Sequence, residues 1–364
     1  MVISRPTIAA VASAEIAALA LAGAAVALLG PAQPAEAKPG VPVLTEVAVA
    51  GVQVPVLVAP ARPGWNLVHV GAEPAAVGTA PDRLVAGQAR PGTRHTWAEV
   101  WLPVGRGQLW IELAGQLHTL PVDTGPPGGA PAPDLRGPDG PECANVALGR
   151  AIGAAPAPLR ACPADRLAPA DAAAIRAMVR FVAARGVTAI SLVADSSLRG
   201  TQAAATVAAA ARAHRIAVKV PDTDRIPLFV VAGWPDAAAA VRGVSTGRLA
   251  AQGTYLAPWL LNEMLLATPA GQLLPLRSDP TGAAAVAYLS TLRSRLPSTP
   301  ATAASYLGWR GPAGGGEHTV RLYAASPRIV AGAVPAGGHR HDHAAVRWLP
   351  DGAITAVTGP LEGT

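Results

Sequence analysis

The chain has 364 residues, a formal net charge of +6 and a composition in which 51% of the residues are hydrophobic and 14% are charged. This length predicts two or three domains. The positive charges are spread along the chain without a polybasic block, so the sequence argues against nucleic acid as a partner.

The N-terminal segment, residues 1–37, is predicted to direct export. The apolar run Ile16–Leu29 has the length of a signal-peptide core, and residues 35–37 (Ala-Glu-Ala) form a small-x-small cleavage pattern. Cleavage would leave Lys38 as the first residue. The alternatives are a retained N-terminal anchor, which would be the chain's only contact with a membrane, and an apolar structural helix. Cleavage and anchoring both place the body of the protein outside the cytoplasm.

Residues 41–125 are predicted to form an all-β domain. Short runs with strand-like alternation follow one another at near-regular spacing, with Gly and Pro between them. This pattern favours a small β-sandwich of the immunoglobulin-like kind. Its tryptophans are predicted to lie in the core or at the rim rather than to form a platform for sugars: Trp65, Trp97, Trp101 and Trp110.

The composition changes at residues 126–141 (PPGGAPAPDLRGPDGP), which are predicted to form a semi-rigid linker and a domain boundary. Just after it lie the two cysteines of the chain, Cys143 and Cys162. In an oxidising compartment such a pair predicts a structural disulfide. The alternative, a thiolate metal or redox pair, lacks the C-x-x-C spacing.

Residues 142–317 are predicted to form one α/β domain. The apolar strand Val187–Ala194, the helix Thr201–Arg212 and the strand Ile216–Val220 make a β-turn-α-β unit. Because the strands are apolar throughout rather than alternating, the sheet is expected to be mostly parallel and covered by helices on both faces, as three layers. Further elements of the same kind flank this unit: helices at Ala170–Arg185, Ala237–Arg242 and Thr281–Leu296, the last with an apolar stripe of Val286, Leu289 and Leu292, and strands at Pro227–Gly233, Gly253–Leu256 and Gln272–Leu276.

Residues 318–364 are predicted to form a β-rich tail. Its strand-like runs are Thr319–Tyr323, Ile329–Val334, Ala345–Leu349 and Ile354–Val357. The sequence Pro350-Asp351-Gly352 predicts a hairpin turn between the last two runs. The sequence leaves open whether this tail extends the α/β sheet, packs on the sandwich or stands free.

The order of these elements resembles a known family. The strand ISLVAD, the turn SSLRG, the strands IAVKV and PLFVVAG, the segment YLAPWLL and the late Asp279-Pro280 helix followed by SYLGW are similar to type I periplasmic solute-binding proteins, especially the leucine, isoleucine and valine receptors. The likeness covers about residues 170–309 and one lobe only, whereas the family closes two lobes around a ligand. It implies an exported, non-catalytic protein that binds a small solute or docks an extracytoplasmic or membrane protein partner.

The turn after the first predicted strand is a candidate ligand site. Asp195, Ser196, Ser197 and Arg199 lie at the carboxyl end of a parallel strand and just before a helix, where α/β domains bind small anions or polar ligands. The alternative is helix capping by Ser197 or Thr201.

Aromatic residues are expected at neighbouring strand ends. Trp234, Tyr255 and Trp259 could form an aromatic wall for an apolar ligand, or they could pack in the core.

One short motif suggests catalysis by its letters alone. Residues 243–247 match the G-x-S-x-G pattern of a hydrolase nucleophile, with Asp279 and His318 following in hydrolase order. A nucleophilic serine needs a strand-to-helix turn. Because Ser245 is predicted to follow a helix and precede a strand, the sequence predicts no enzyme.

A histidine cluster in the tail supports the alternative function. His339, His341 and His343 alternate next to Asp342, and imidazoles with a carboxylate suit copper, zinc or nickel. Asp342, or His318 with Glu317, could complete the ligand set of an extracytoplasmic copper or zinc accessory protein. A solvated loop and a pH-sensitive contact are the other interpretations, and no other cofactor is predicted.

Overall fold

Two antiparallel sheets form the N-terminal part of the computed structural model, which describes residues 38–127, 132–153, 156–311, 319–327 and 347–361. The described residues from Pro39 onward form one compact unit. The first sheet has five strands in the order β1 (Val43–Val49), β2 (Val52–Ala59), β3 (Gly64–Val70), β7 (Thr96–Leu102) and β6 (Gln88–Ala89). The second has four, in the order β5 (Leu84–Ala86), β4 (Ala75–Gly78), β8 (Arg106–Leu113) and β9 (Gln116–Asp123).

Both sheets contribute to one apolar core. Alternate residues of a strand point to the same face, so the β2 residues Val54, Val56 and Val58 lie together against Leu109 and Ile111 of β8. On the opposite face of the five-stranded sheet, a smaller set of side chains joins the core of the α/β part: Leu57, Ala59, Leu67 and Trp97. The two-sheet region is therefore packed on both sides of its larger sheet.

Helix α1 (Gly140–Ile152) lies between the two-sheet region and the α/β sheet and is buried along almost its whole length. It begins inside the segment that composition assigns to a linker, and Leu135 of that segment is also buried. The predicted disulfide between Cys143 and Cys162 is present, with the two Cα atoms 5.1 Å apart, within the usual range for a disulfide. The disulfide therefore attaches α1 to the chain segment that follows it.

The α/β part is a seven-stranded sheet. Its order is β11 (Ala217–Lys219), β10 (Ala189–Val193), β12 (Leu228–Val230), β13 (Thr254–Leu256), β14 (Gln272–Leu276), β15 (Arg321–Ser326) and β16 (Ala353–Ala356). The first five strands are parallel, which confirms the predicted mostly parallel sheet, and the last two are antiparallel. The helices are α2 (Pro169–Ala183), α3 (Leu198–Ala213), α4 (Trp234–Ser245), α5 (Glu263–Leu266), α6 (Ala283–Arg295) and α7 (Ala303–Arg310).

The tail extends this sheet, and two details of its prediction were wrong. Residues 347–349 form a bend instead of a strand, because Trp348 and Leu349 insert into the core and the Trp348 indole N–H donates to the carbonyl oxygen of Pro280 at 3.0 Å. The turn at residues 349–352 therefore precedes β16, which pairs with β15. The predicted run at residues 329–334 lies outside the described residues.

The predicted stripe of α6 is also partly wrong. Val286 is 42% exposed, whereas Leu289 and Leu292 are buried. The buried face is completed by Ala285 and Tyr288. In the described part of the chain, every helix is too short or too polar to traverse a lipid bilayer.

Candidate binding site at the carboxyl edge of the sheet

The strand order reverses between β10 and β12, and in open α/β sheets the crevice outside the carboxyl ends at such a point is the usual ligand site. The predicted Asp195 turn lies there. Asp195 Oδ1 accepts hydrogen bonds from the backbone N–H and the hydroxyl of Ser197, at 2.9 and 2.5 Å, and Oδ2 accepts one from the Gly233 N–H. Ser197 Oγ accepts from the Gly200 N–H at 3.0 Å and caps α3. These polar groups therefore hold the turn and the start of α4 in place, while Ser196 is exposed.

A loop of the two-sheet region, residues 90–95, packs on Trp234 beside this point, and we call it the covering loop. A Cβ atom added to Gly92 would lie 2.8 Å from Cε3 of Trp234, and Gly92 has a positive φ of +77°. The Asn262 side-chain N–H donates to the Gly92 carbonyl oxygen at 2.8 Å. Trp234 is only 1% exposed, so it belongs to the packing beneath the loop rather than to an open wall.

The predicted site residue Arg199 already forms an ion pair within the protein. Its guanidinium donates two hydrogen bonds to the Glu142 carboxylate, at 2.6 and 2.7 Å, and both side chains are 2% exposed. Arg199 also lies over the Trp259 ring, 4.5 Å from its centroid. Burial is the largest single influence and lowers the pKa of Arg199. The charge and hydrogen bonds of Glu142, together with the charges of Asp139 and Asp171, outweigh burial, so the pKa is raised. A cation at a helix N-terminus is unfavourable, so this partner stabilises the first turn of α3.

A second carboxylate, half-buried, lies beside the Asp195 turn. Asp139 caps the start of α1 without a side-chain hydrogen bond to the helix, and its Oδ1 lies against Gly233 beside Asp195. Burial, followed by the negative charge of Glu142, raises the pKa of Asp139 to about 6. Carboxylates from the start of α1 and from the Asp195 turn therefore meet at Gly233.

Beside the covered point, an open pocket of about 380 Å³ lies at the carboxyl ends of β13 and β14, and we call it the carboxyl-edge pocket. Its walls are mostly apolar, and Arg199 with Glu142 lies at its boundary with the covered half. Its largest apolar lining residues are Trp259, Leu261, Leu276, Tyr306 and Leu307. Its other charged lining residues are Asp171 in the first turn of α2, Arg277 after β14 and Arg310 in the last turn of α7.

Asp171 is the acidic group of this pocket that forms no ion pair within the described residues. Burial raises its pKa to about 6, although the Arg199 charge lowers it. The Glu142 carboxylate acts in the same direction as burial. A carboxylate in such a place accepts hydrogen bonds from an amine or a hydroxyl, while the apolar walls take a hydrocarbon group.

Tyr255 lies away from the other predicted site residues. Its ring stacks on Phe229 with the centroids 5.1 Å apart. It lines a separate pocket with Ala189, Ile226 and Gln252, which lie at or before the amino ends of their strands. The structure thus brings Asp195, Arg199 and Trp234 to the covered half of the carboxyl edge and leaves Tyr255 toward the amino edge.

Ser245 is the last residue of α4 and is exposed. The next strand, β13, begins at Thr254. This is the helix-to-strand order expected from the sequence, and it lacks the strained strand-to-helix turn that a nucleophilic serine requires.

The metal hypothesis rests on residues that the structure does not describe. His339, His341, His343 and Asp342 all lie outside the described residues, as do Glu317 and His318. Within the described ranges, no group of three or more His, Cys, Asp or Glu side chains is placed to hold a metal ion.

Asp171 and Tyr306 are among the pocket residues that were not predicted from the sequence. Asp171 was part of the predicted helix Ala170–Arg185, and its place in the first turn, next to the carboxyl edge, is the signal that could have identified it. Tyr306 lies in α7, whose only signal in the sequence was the resemblance carried by SYLGW.

No family model matches the chain, and no curated protein matches it. Among solved structures, it is similar to an extracellular ligand-binding receptor from Verminephrobacter eiseniae, with a TM-score of 0.32 and 13% identity over 40% of this chain and 48% of that one. It is also similar to an ABC transporter substrate-binding protein from Desulfitobacterium hafniense in complex with Leu, with a TM-score of 0.29 and 12% identity over 38% of this chain and 46% of that one. The chain spans about half the length of each.

Proposed function

We propose that the chain is an exported, non-catalytic binding protein that takes a small solute in the carboxyl-edge pocket. The observation that carries this proposal is the pocket itself: an open volume of about 380 Å³ at the carboxyl ends of parallel strands, with apolar walls and the Asp171 carboxylate. The solute that fits is small, largely apolar and equipped with an amine or hydroxyl that donates to Asp171.

The charges around the pocket favour this class of ligand. Glu142 and Arg199 neutralise one another through their two short hydrogen bonds. Among the described acidic lining residues, Asp171 therefore keeps its hydrogen-bonding capacity for a ligand. Arg310 lies over the Tyr306 ring, 5.6 Å from its centroid, and adds a positive charge to the α7 side of the pocket.

Export is supported by two features of the chain. The N-terminal 37 residues carry the apolar run and small-x-small pattern of a signal peptide. The Cys143–Cys162 disulfide is typical of proteins that fold in an oxidising compartment.

The two-sheet region is proposed to be immunoglobulin-like. The strand order β2-β3-β7-β6 corresponds to A-B-E-D of that fold, and β5-β4-β8-β9 corresponds to C′-C-F-G. In this assignment β1 is an additional strand at the edge of the first sheet.

The test is thermal unfolding of the full chain in the presence of a panel of small amines, amino acids and other small solutes. A solute present at about one hundred times its Kd stabilises the folded state by about 2.7 kcal/mol and raises Tm by several degrees. We expect such a solute to raise the Tm of the wild type and of the exposed control Asp82→Asn, and to leave the Tm of Asp171→Asn unchanged.

Two outcomes contradict the proposal. In the first, no member of the panel raises the Tm of the wild type. In the second, a solute raises the Tm of Asp171→Asn as much as that of the wild type, which would place binding elsewhere.

A further inference from the structure

Another pocket, of about 540 Å³, lies in the two-sheet region and shares no lining residue with the carboxyl-edge pocket. It lies between the start of β3 and the chain segments that follow β9 and precede α1. Its lining includes Arg62, Trp65, Asp134 and Arg136 among several prolines. It is therefore polar and aromatic, in contrast to the apolar carboxyl-edge pocket.

Two tryptophans form an exposed pair at this pocket. Trp65 and Trp101 are partners across β3 and β7, are 43% and 57% exposed, and meet edge to face with their centroids 5.6 Å apart. They lie on the same face of the sheet as Trp97, which is 3% exposed and packs against the α/β part. The prediction of core or rim positions therefore fits Trp97, whereas Trp65 and Trp101 present aromatic surface to solvent.

Arg62 is held rigidly at its backbone, and its side chain is left with unused donors. Asn66 accepts from the Arg62 N–H at 3.2 Å and donates to the Arg62 carbonyl oxygen at 2.7 Å. Arg62 Nε is buried without a hydrogen-bond partner. Among the described residues, no carboxylate forms an ion pair with Arg62.

The neighbouring arginine is different because it is already paired. Arg136 donates to Asp134 through Nε at 3.0 Å and through Nη2 at 2.6 Å. Its guanidinium also lies 5.5 Å from the centroid of the Trp65 ring. Arg136 and Asp134 thus order one side of the pocket, and Arg62 is the guanidinium that can take a ligand.

We propose that this pocket binds an acidic glycan, a polysaccharide segment that carries uronic-acid carboxylates. The carboxylate binds the Arg62 guanidinium, whose planar N–H groups match a carboxylate in geometry. The C–H face of the adjoining sugar ring packs on Trp65 and Trp101, since aromatic faces carry partial negative charge. Asp134 accepts hydrogen bonds from sugar hydroxyls. An uncharged peptide could use the tryptophans, but it would leave the Arg62 guanidinium without an anionic partner.

The test is isothermal titration of the full chain with tetragalacturonate, with maltotetraose as the uncharged control. We expect tetragalacturonate to bind the wild type and maltotetraose to bind at least about tenfold more weakly. Arg62→Gln is expected to lose about tenfold or more in affinity for tetragalacturonate, and Trp101→Ala to weaken it as well. Arg106→Gln is the matched control, because Arg106 is an 83% exposed arginine of the same region, and it is expected to bind like the wild type.

Three results would overturn the proposal: no heat of binding with tetragalacturonate, equal affinity for both tetrasaccharides, or unchanged affinity in a folded Arg62→Gln. If Arg62→Gln is not folded by circular dichroism, Arg62→Lys takes its place, since it keeps the charge and loses the two-point geometry. A proline peptide that binds where tetragalacturonate does not would likewise contradict the glycan assignment. None of these results depends on Asp171, so this test and that of the carboxyl-edge pocket succeed or fail separately.

Discussion

The two halves of the carboxyl edge of the parallel sheet have the same strand geometry and opposite accessibility. At β10 and β12, where strand order reverses, Trp234 lies beneath the covering loop, and Asp195 lies beside Asp139 at the start of α1. At β13 and β14, the edge remains open as the carboxyl-edge pocket. A position at the carboxyl end of a strand therefore does not identify a binding site by itself, because segments distant in sequence determine which strand ends are accessible to solvent.

Loss of the buried ion pair between Arg199 and Glu142 is expected to destabilise the protein most. Arg199→Met leaves Glu142 as an unpaired charge that is 2% exposed, and such a loss costs about 4 kcal/mol of unfolding free energy. The double variant Arg199→Met with Glu142→Leu removes both charges and is expected to recover most of that loss. Urea unfolding measures both values. If the double variant is as unstable as the single one, the contribution of Arg199 and Glu142 to stability does not come from charge compensation.

The second effect tests the contact of the covering loop. Gly92→Ala must adopt a φ of +77° and must also displace the Trp234 ring, so we expect a loss of about 3 kcal/mol in unfolding free energy. Gly115→Ala is the matched control, because Gly115 has a φ of +75° and open space at the Cβ position. It is expected to cost about 1 kcal/mol. Equal losses would mean that the loop is not packed closely on Trp234.

The third effect comes from a buried histidine beside the covering loop. Burial, partly offset by a hydrogen bond to the Arg94 carbonyl oxygen, lowers the pKa of His69 to about 4, and the neighbouring His95 acts in the same direction as burial. The unfolded chain therefore binds a proton between pH 6.5 and 4 that the folded chain does not. Because of His69, the free energy of unfolding is therefore expected to fall by about 2 kcal/mol as the pH falls from 7 to 4.5.

The measurement is unfolding free energy against pH for the wild type, His69→Gln and the exposed control His214→Gln. The stability of His69→Gln should fall less over this range, by about 2 kcal/mol. A wild-type slope that the variant and the control both retain would exclude His69 as its source.

The smallest expected change in stability comes from Asp171 in the open half of the carboxyl edge. Burial raises the pKa of Asp171 to about 6, so the folded state holds a proton between pH 3.8 and 6 that the unfolded state releases, and this contribution to stability is lost as the pH rises through 6. At pH 7, Asp171→Asn is therefore expected to stabilise the free protein by about 1 kcal/mol, as at sites kept for binding rather than stability. Thermal unfolding without solute checks this prediction, and a destabilised Asp171→Asn would show that the carboxylate has a structural partner.

The order of helices and strands in the α/β part could be predicted because each element carries its own signal. The β10 residues form an apolar run that ends at Asp195, and α2 buries Ile175, Met178 and Val182 on one face. The parallel arrangement then follows from the connections between strands. These signals are local, and they need no knowledge of other regions.

The state of the carboxyl edge could not be predicted because it depends on contacts between distant segments. No sequence pattern indicates that Gly92 contacts Trp234. Glu142 lies in the first turn of α1, and the start of this helix was not predicted because the residues around it are rich in proline. Trp348 was assigned to a strand because an apolar run inserted into a core and an apolar strand have the same composition.

Backbone amide hydrogen exchange of the free protein measures whether the two halves of the carboxyl edge differ in solvent accessibility. The buried Gly233 N–H donates to Asp195 beside the start of α1, so it is expected to exchange well over tenfold more slowly than the amides of Ser278 and Asp279 at the open half. Equal and rapid exchange at both places would contradict the claim that one half of this edge is closed and the other open.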